Sequence, residues 1–168
     1  MNRAISLINK KFDEGNPSDF YNRTGATTVR GGVGFIDLPQ ADAASTSIGA
    51  AEGNAVAVST TRIGQQLPLV VWHKAGIADD GVGRAYFGDA IRCKALVEGT
   101  TDIAKGDRLK PVNGQAYLVK ATSPNPISVD ESGSATYVAD NYYAIALEAF
   151  TTDGTGLIEV LLFSFPRR

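Results

Sequence analysis

His73 is the only histidine in the chain and Cys93 the only cysteine, which narrows the available chemistry before any element is placed. A Ser-His-Asp hydrolase would have to use His73. Its surroundings, Val70-Val71-Trp72-His73-Lys74, read as a strand and carry no Gly-x-Ser-x-Gly nucleophile turn. An outward polar position in that strand accounts for it. Cys93 falls on the apolar side of Ile91-Arg92-Cys93-Lys94-Ala95, where a thiol acts as a small hydrophobe. One histidine and one cysteine make no zinc ligand set, and one cysteine closes no disulfide within a chain.

The carboxylates Asp79-Asp80, Asp102, Asp107, Asp130-Glu131 and Asp153 stand in turn-like contexts, where Asp bonds to nearby backbone. No segment alternates oxygen ligands toward a distal Glu as a calcium loop does. A glycosidase pair would need two carboxylates brought together in space, which nothing in their spacing supplies. Gly31-Gly32-Val33-Gly34 and Gly81-Val82-Gly83 lack the Gly-Lys-Ser/Thr ending of a phosphate loop and read as turns. Asn22-Arg23-Thr24 spells a glycosylation triplet, but the N-terminal residues do not read as a secretory signal. The expectation is a chain that is not an enzyme, with no catalytic residues, no cofactor and no metal.

The elements that would carry these residues are short strands. The chain has 168 residues, 16 Lys plus Arg against 18 Asp plus Glu, and 43% apolar residues, enough for one core. Near-balanced charge argues against a general nucleic-acid partner. No apolar run reaches the ~20 residues of a membrane span. Ala55–Val58, Leu67–His73, Ile91–Glu98, Tyr142–Phe150 and Gly156–Phe165 read as strands, with Thr122 to Ser134 a loop. Asn113-Gly114 is the strongest hairpin signal and leads into Ala116–Val119. In the last strand Leu157, Leu161 and Phe163 share one face while Ile158, Val160 and Leu162 share the other. Both faces are apolar, so one should meet the chain's own core and the other a partner. The fold expected is all-β, a small barrel or sandwich of clip-like or tulip-like form, over residues 54–168.

Residues 1–53 read as an extended N-terminal arm. Ala4, Ile5, Ile8 and Phe12 suit a short helix that Gly15-Asn16-Pro17 ends, and small polar residues follow. Ile8, Phe12, Phe20, Phe35 and Ile36 would anchor this arm to a partner or a sister subunit. Val33–Leu38 alone in the arm suggests a short strand.

Ala95-Leu96-Val97-Glu98-Gly99-Thr100-Thr101-Asp102-Ile103-Ala104-Lys105-Gly106-Asp107-Arg108-Leu109 has at its core Ile-x-Lys-Gly-Asp-x-Leu. Val112–Ala116, Val119–Ala121, Ala144–Ala149 and Leu157–Leu162 extend the pattern. Over about Asn54 to Phe165 the chain resembles the small β-domain of tailed-bacteriophage capsid decoration, or cement, proteins. The resemblance implies a viral structural protein, made in the host cytoplasm and carried on the virion's capsid surface. It would bind the major capsid protein as a homotrimer, with no nucleic-acid or membrane partner. The interface residues expected are Ile8, Phe12, Phe20, Phe35, Ile36, Leu157, Leu161 and Phe163. Two other readings are a trimeric head-fibre base and a carbohydrate-binding β-domain for host attachment. In the latter, Trp72, Tyr86, Phe87, Tyr142 and Tyr143 would offer stacking faces unless they are core.

Overall fold

The computed structural model describes residues 17–37, 53–121 and 141–167. They form an all-β protein of two closed five-stranded barrels. The first contains β1 (Ser18–Arg23), β2 (Val33–Asp37), β3 (Asn54–Val56), β4 (Leu69–Trp72) and β5 (Val82–Tyr86). The second contains β6 (Asp89–Glu98), β7 (Arg108–Pro111), β8 (Leu118–Lys120), β9 (Tyr142–Ala146) and β10 (Thr155–Arg167). A one-turn helix, α1 (Thr60–Gly64), follows β3, with Ser59 accepting from the Arg62 backbone N–H at its start. Among the described residues no helix is long and apolar enough to cross a membrane.

Two elements differ from the sequence expectation. Residues 18–37, read as part of an arm, supply two strands of the first barrel. The expected boundary at residue 54 therefore falls between barrel strands, since β1 pairs with β3 and β5 and β2 with β3 and β4. Val82–Tyr86, read in part as a glycine turn, is β5. A Cβ on Gly83 would lie 2.6 Å from Ile77 Cγ1, so this glycine makes room for a side chain rather than a bend.

The barrels have the same connectivity. In the first, β1 runs parallel to β3 and antiparallel to β5, and β2–β3, β2–β4 and β4–β5 are antiparallel. In the second, β6, β7, β8, β9 and β10 repeat every one of these relations in chain order. The registers coincide as well. Asn22 pairs with Ala55 as Val97 pairs with Leu118, and Val33 with Val71 as Arg108 with Ile145. Trp72 pairs with Ala85 as Ala146 with Val160. The turns agree too. Gly31 N–H donates to Trp72 C=O and Trp72 N–H to Gly32 C=O, as Gly106 N–H donates to Ala146 C=O and Ala146 N–H to Asp107 C=O. Gly31 (φ 73) and Gly106 (φ 94) are counterparts in the left-handed region that a glycine tolerates. The molecule is a tandem repeat.

Inside the first barrel lie Phe20, Ile36, Ala55, Val70, Trp72 and Ala85. Their counterparts Ala95, Pro111, Leu118, Ala144, Ala146 and Val160 are buried inside the second. Phe20 and Trp72 give way to alanines while Ala55 and Ala85 give way to Leu118 and Val160. Large and small residues exchange places, and each small interior stays filled. Asn22 is buried at the end of the first barrel. Its Nδ2 donates to the carbonyls of Ala26, Ile77 and Ala78, and its Oδ1 accepts from Thr24. A side chain so enclosed is no glycan acceptor in the folded protein.

The outer face of the first barrel around β2 and β4 is covered by the second barrel. Val33, Phe35, Val56, Leu69 and Val71 belong to one buried cluster with the interior of the second barrel. The chain segment Gly31–Val33 enters between β6 and β8. Leu96 N–H donates to Gly31 C=O at 2.7 Å and Val33 N–H to Ala116 C=O at 2.9 Å. Phe35 and Tyr143 pack edge to face at 5.7 Å. One shared core holds the two barrels together.

Ala90 sits at φ 57, at the bulge where the β6–β10 register slips between Leu162 and Phe163. A non-glycine residue there costs roughly 1–2 kcal/mol, partly offset by the extra unfolded-state freedom of glycine. Ala90→Gly is therefore expected to raise the unfolding free energy by about 0.5 kcal/mol in a denaturant titration; a loss of stability would show that the bulge is not strained.

Candidate interaction face

Among the described residues, the outer face of the second barrel carries a group of half-buried and exposed apolar side chains. Strand register sets out its central row: Arg108 of β7, Ile145 of β9, Leu161 of β10 and Arg92 of β6 lie side by side. Alternation along β10 buries Ile158, Val160, Leu162 and Ser164 and turns Leu157, Glu159, Leu161, Phe163 and Phe165 outward. Phe163 packs edge to face on Tyr142, while Arg167 lies over the Phe163 ring and Arg108 lies 4.9 Å from the Tyr142 centroid. Phe165, 55% exposed, touches Phe87, which in turn touches Phe20. Aromatic and arginine side chains together are what protein-binding surfaces concentrate.

A ladder of ion pairs crosses the same face. Arg92 grips Glu159 with two hydrogen bonds at 2.6 and 2.7 Å, and Lys94 bonds to both oxygens of Glu148. Glu148 also accepts from the Glu159 backbone N–H. The hydrogen bond from Lys94 holds the Glu148 carboxyl below its ordinary value, and that from Arg92 does the same for Glu159. Stability from groups lowered in this way is present above the ordinary carboxylate range and is lost as pH falls through it. Replacing both cations, Arg92→Ala with Lys94→Ala, should flatten the decline of the denaturation midpoint between neutral pH and acid; an unchanged slope would place the acid sensitivity elsewhere.

The residues expected at an interface separate into three groups. Phe20, Phe35 and Ile36 are buried in the chain's own cores, at 1%, 0% and 8% exposure, so they are not anchors for another molecule. Alternation turns Phe20 and Ile36 into the first barrel, and Phe35, on its outer side, is covered by the second. Leu157, Leu161 and Phe163 do share the outward side of β10, with Leu157 39% exposed and the other two half-buried. Ile8 and Phe12 lie outside the described residues. Ile145, Phe165 and the arginines joined to them did not stand out in the sequence, and Tyr142 did so only as a sugar-stacking aromatic. The alternation of β10 pointed to Phe165, whereas Ile145 and Arg108 enter only through cross-strand register.

The Ile-x-Lys-Gly-Asp-x-Leu motif is built into the fold. Ile103 is buried, and its backbone bridges to that of Phe150 in both directions. Asp107 accepts from the Ala104 N–H at 2.8 Å and pairs with Lys120 at 2.7 Å, and the Lys120 bond lowers its pKa. Leu109 is fully buried. Of the aromatics with a sugar-stacking possibility, Trp72 and Tyr143 are buried. Tyr86 hydroxyl contacts His73 Nδ1 at 2.8 Å. Burial, then the charge of Glu159, pushes the Cys93 thiol up to about 12, far from a thiolate nucleophile. Among the described residues, no three His, Cys, Asp or Glu side chains lie close enough together to hold a metal ion.

Comparison of the chain with protein-family models, characterised proteins and solved structures returns no match.

Proposed function

We propose that this chain is a capsid decoration protein, which binds the outer surface of a tailed-phage capsid as a homotrimer and braces contacts between major capsid proteins. The observation that carries the reading is the outward face of β10 and its neighbours. Leu161, Ile145, Phe163 and Tyr142 are framed there by Arg92, Arg108 and Arg167, as in a surface made to meet protein. Barrel closure favours side-chain faces for this task, because a closed barrel offers no free sheet edge to a partner strand. The choice of a capsid as the partner comes from the resemblance of the Ile103–Leu109 turn and of the strands around it.

The test is co-sedimentation of the purified protein with capsids that lack it. Saturable binding supports the proposal, and absence of binding ends it. Binding should also persist in salt. An apolar contact is weakened little when the Debye length falls from ~10 Å to ~3 Å, so occupancy should change less than about twofold between 0.1 and 1 M salt. Loss of binding in proportion to ionic strength would replace the apolar contact with a charge-driven one.

A further inference from the structure

Strand register brings three chain segments together at one end of the first barrel. Ser18 pairs with Ala85 in the antiparallel β1–β5 ladder, so the chain on the N-terminal side of Ser18 leads off beside Tyr86 and Phe87. Arg84 Nη2 donates to the Pro17 carbonyl at 2.8 Å and fixes that exit. Phe87 packs on the barrel's interior cluster, edge to face with Phe20 at 6.1 Å. From the second barrel, β10 reaches the same place. Ser164 N–H donates to Gly88 C=O at 2.9 Å and Gly88 N–H to Ser164 Oγ at 2.8 Å, which sets Phe165 against Phe87 with ring centroids 6.3 Å apart. Phe165 is still 55% exposed, the most exposed large apolar side chain among the described residues. It lies past the row of Arg108, Ile145 and Leu161, beyond the last β6–β10 pair at Asp89 and Phe163.

We infer that residues 1–16 are a strap on their own chain, with Ile8 and Phe12 seated on Phe165 and Phe87 at this end of the first barrel. The tether chooses this occupant. Phe12 is five residues from Pro17, a reach of up to ~17 Å at ~3.3 Å per residue, enough to cover a patch that begins beside Pro17. A segment held on so short a lead has an effective concentration on the order of millimolar at the patch, well above that of a second copy at micromolar protein. The segment also has the chemistry to match: Ala4, Ile5, Ile8 and Phe12 are apolar, with Arg3, Lys10, Lys11, Asp13 and Glu14 among them to face water. A strap of this kind covers one barrel end and does not link subunits. The inference stands apart from the capsid reading, since it uses neither Ile145 nor Leu161.

The test is trypsin cleavage after Lys10 and Lys11 of the full chain, followed by mass spectrometry. Wild type should be cut at least about tenfold more slowly than Phe165→Ser, because burial of the phenylalanine rings sets the opening equilibrium. Phe12→Ser should match Phe165→Ser, and the double variant should be cut no faster than either alone, since both remove the same contact. The wild-type rate should not change with protein concentration. In a second measurement, Phe12→Cys combined with Phe165→Cys and oxidised with diamide should close a disulfide within single chains, Cys93 being buried. Equal cutting of wild type and the serine variants overturns the inference. So does a disulfide that fails to form within chains; one formed between chains, or protection that fades on dilution, gives the patch to a second copy. Far-UV circular dichroism checks the fold of each variant. Phe12→Ser alters no residue of either barrel's strands, so its result decides if Phe165→Ser loses its dichroism.

Discussion

Gly31→Ala is expected to destabilise the protein by roughly 3 kcal/mol or more, while Gly106→Ala at the matching position costs only about 1–2 kcal/mol. Both glycines have positive φ, so both variants carry the penalty of a left-handed alanine. They differ in surroundings. A Cβ at Gly31 would lie 2.3 Å from Leu157 Cδ2, 2.8 Å from Leu96 N and 3.1 Å from the Ala95 carbonyl carbon, whereas at Gly106 nothing lies within 4 Å. Leu157 could turn aside, but the backbone of β6 could not without breaking the Leu96–Gly31 hydrogen bond. Overpacking of this kind adds ~1–3 kcal/mol. Denaturant unfolding of the two variants reads the difference directly. Equal losses would mean that the joint between the barrels yields, and that its close fit contributes nothing to stability.

Removing residues 1–37 is expected to abolish cooperative unfolding of the first barrel and to unsettle the second. This reverses the outcome an N-terminal arm would produce, a folded 54–168 domain. Deletion takes β1 and β2 from a five-stranded closure and with them Phe20, Val33, Phe35 and Ile36, all buried. At ~1.5–3 kcal/mol for each large apolar side chain, the loss is on the order of 6–12 kcal/mol. That is comparable to the whole stability of an ordinary domain, about 5–15 kcal/mol. It also uncovers Val70 and Trp72 and leaves Leu96 N–H and Ala116 C=O without their partners. Circular dichroism and limited proteolysis of the shortened chain measure the effect. A sharp unfolding transition with native-like protease resistance would return residues 18–37 to the status of an arm.

The all-β character was legible in the strands of the second barrel. Ile91 to Glu98 carries the period of two, the β10 run is a short stretch apolar at nearly every position, and Asn113-Gly114 marks the connection between β7 and β8. Sequence alone also assigned the two sides of β10 correctly, since alternation within one strand needs no partner. The first barrel was illegible for a reason visible in β1 and β5. Ser18-Asp19-Phe20-Tyr21-Asn22-Arg23 turns an asparagine inward, and β5 contains Gly83, in a Gly-Val-Gly run that reads as a turn. Asn22 is tolerated inside only because three carbonyls of distant loops meet its amide. Nothing local announces them.

The duplication was hidden more thoroughly. Between residues 18–36 and 93–111, which occupy matching places, the one residue in common is the glycine at Gly31 and Gly106. A left-handed turn constrains a single position to glycine. A barrel interior constrains only total volume, so Phe20 and Trp72 could become alanines once Ala55 and Ala85 became leucine and valine. An outer face answers to whatever covers it, which let Val33 become Arg108 and Val71 become Ile145 where no second barrel lies on top. Sequence by itself determined which residues prefer strands and which side of a strand is apolar, because those preferences act between neighbours along the chain. Tertiary structure alone decided which apolar side is core and which is surface, because burial depends on what packs against a face, and here that is a second barrel some seventy residues away.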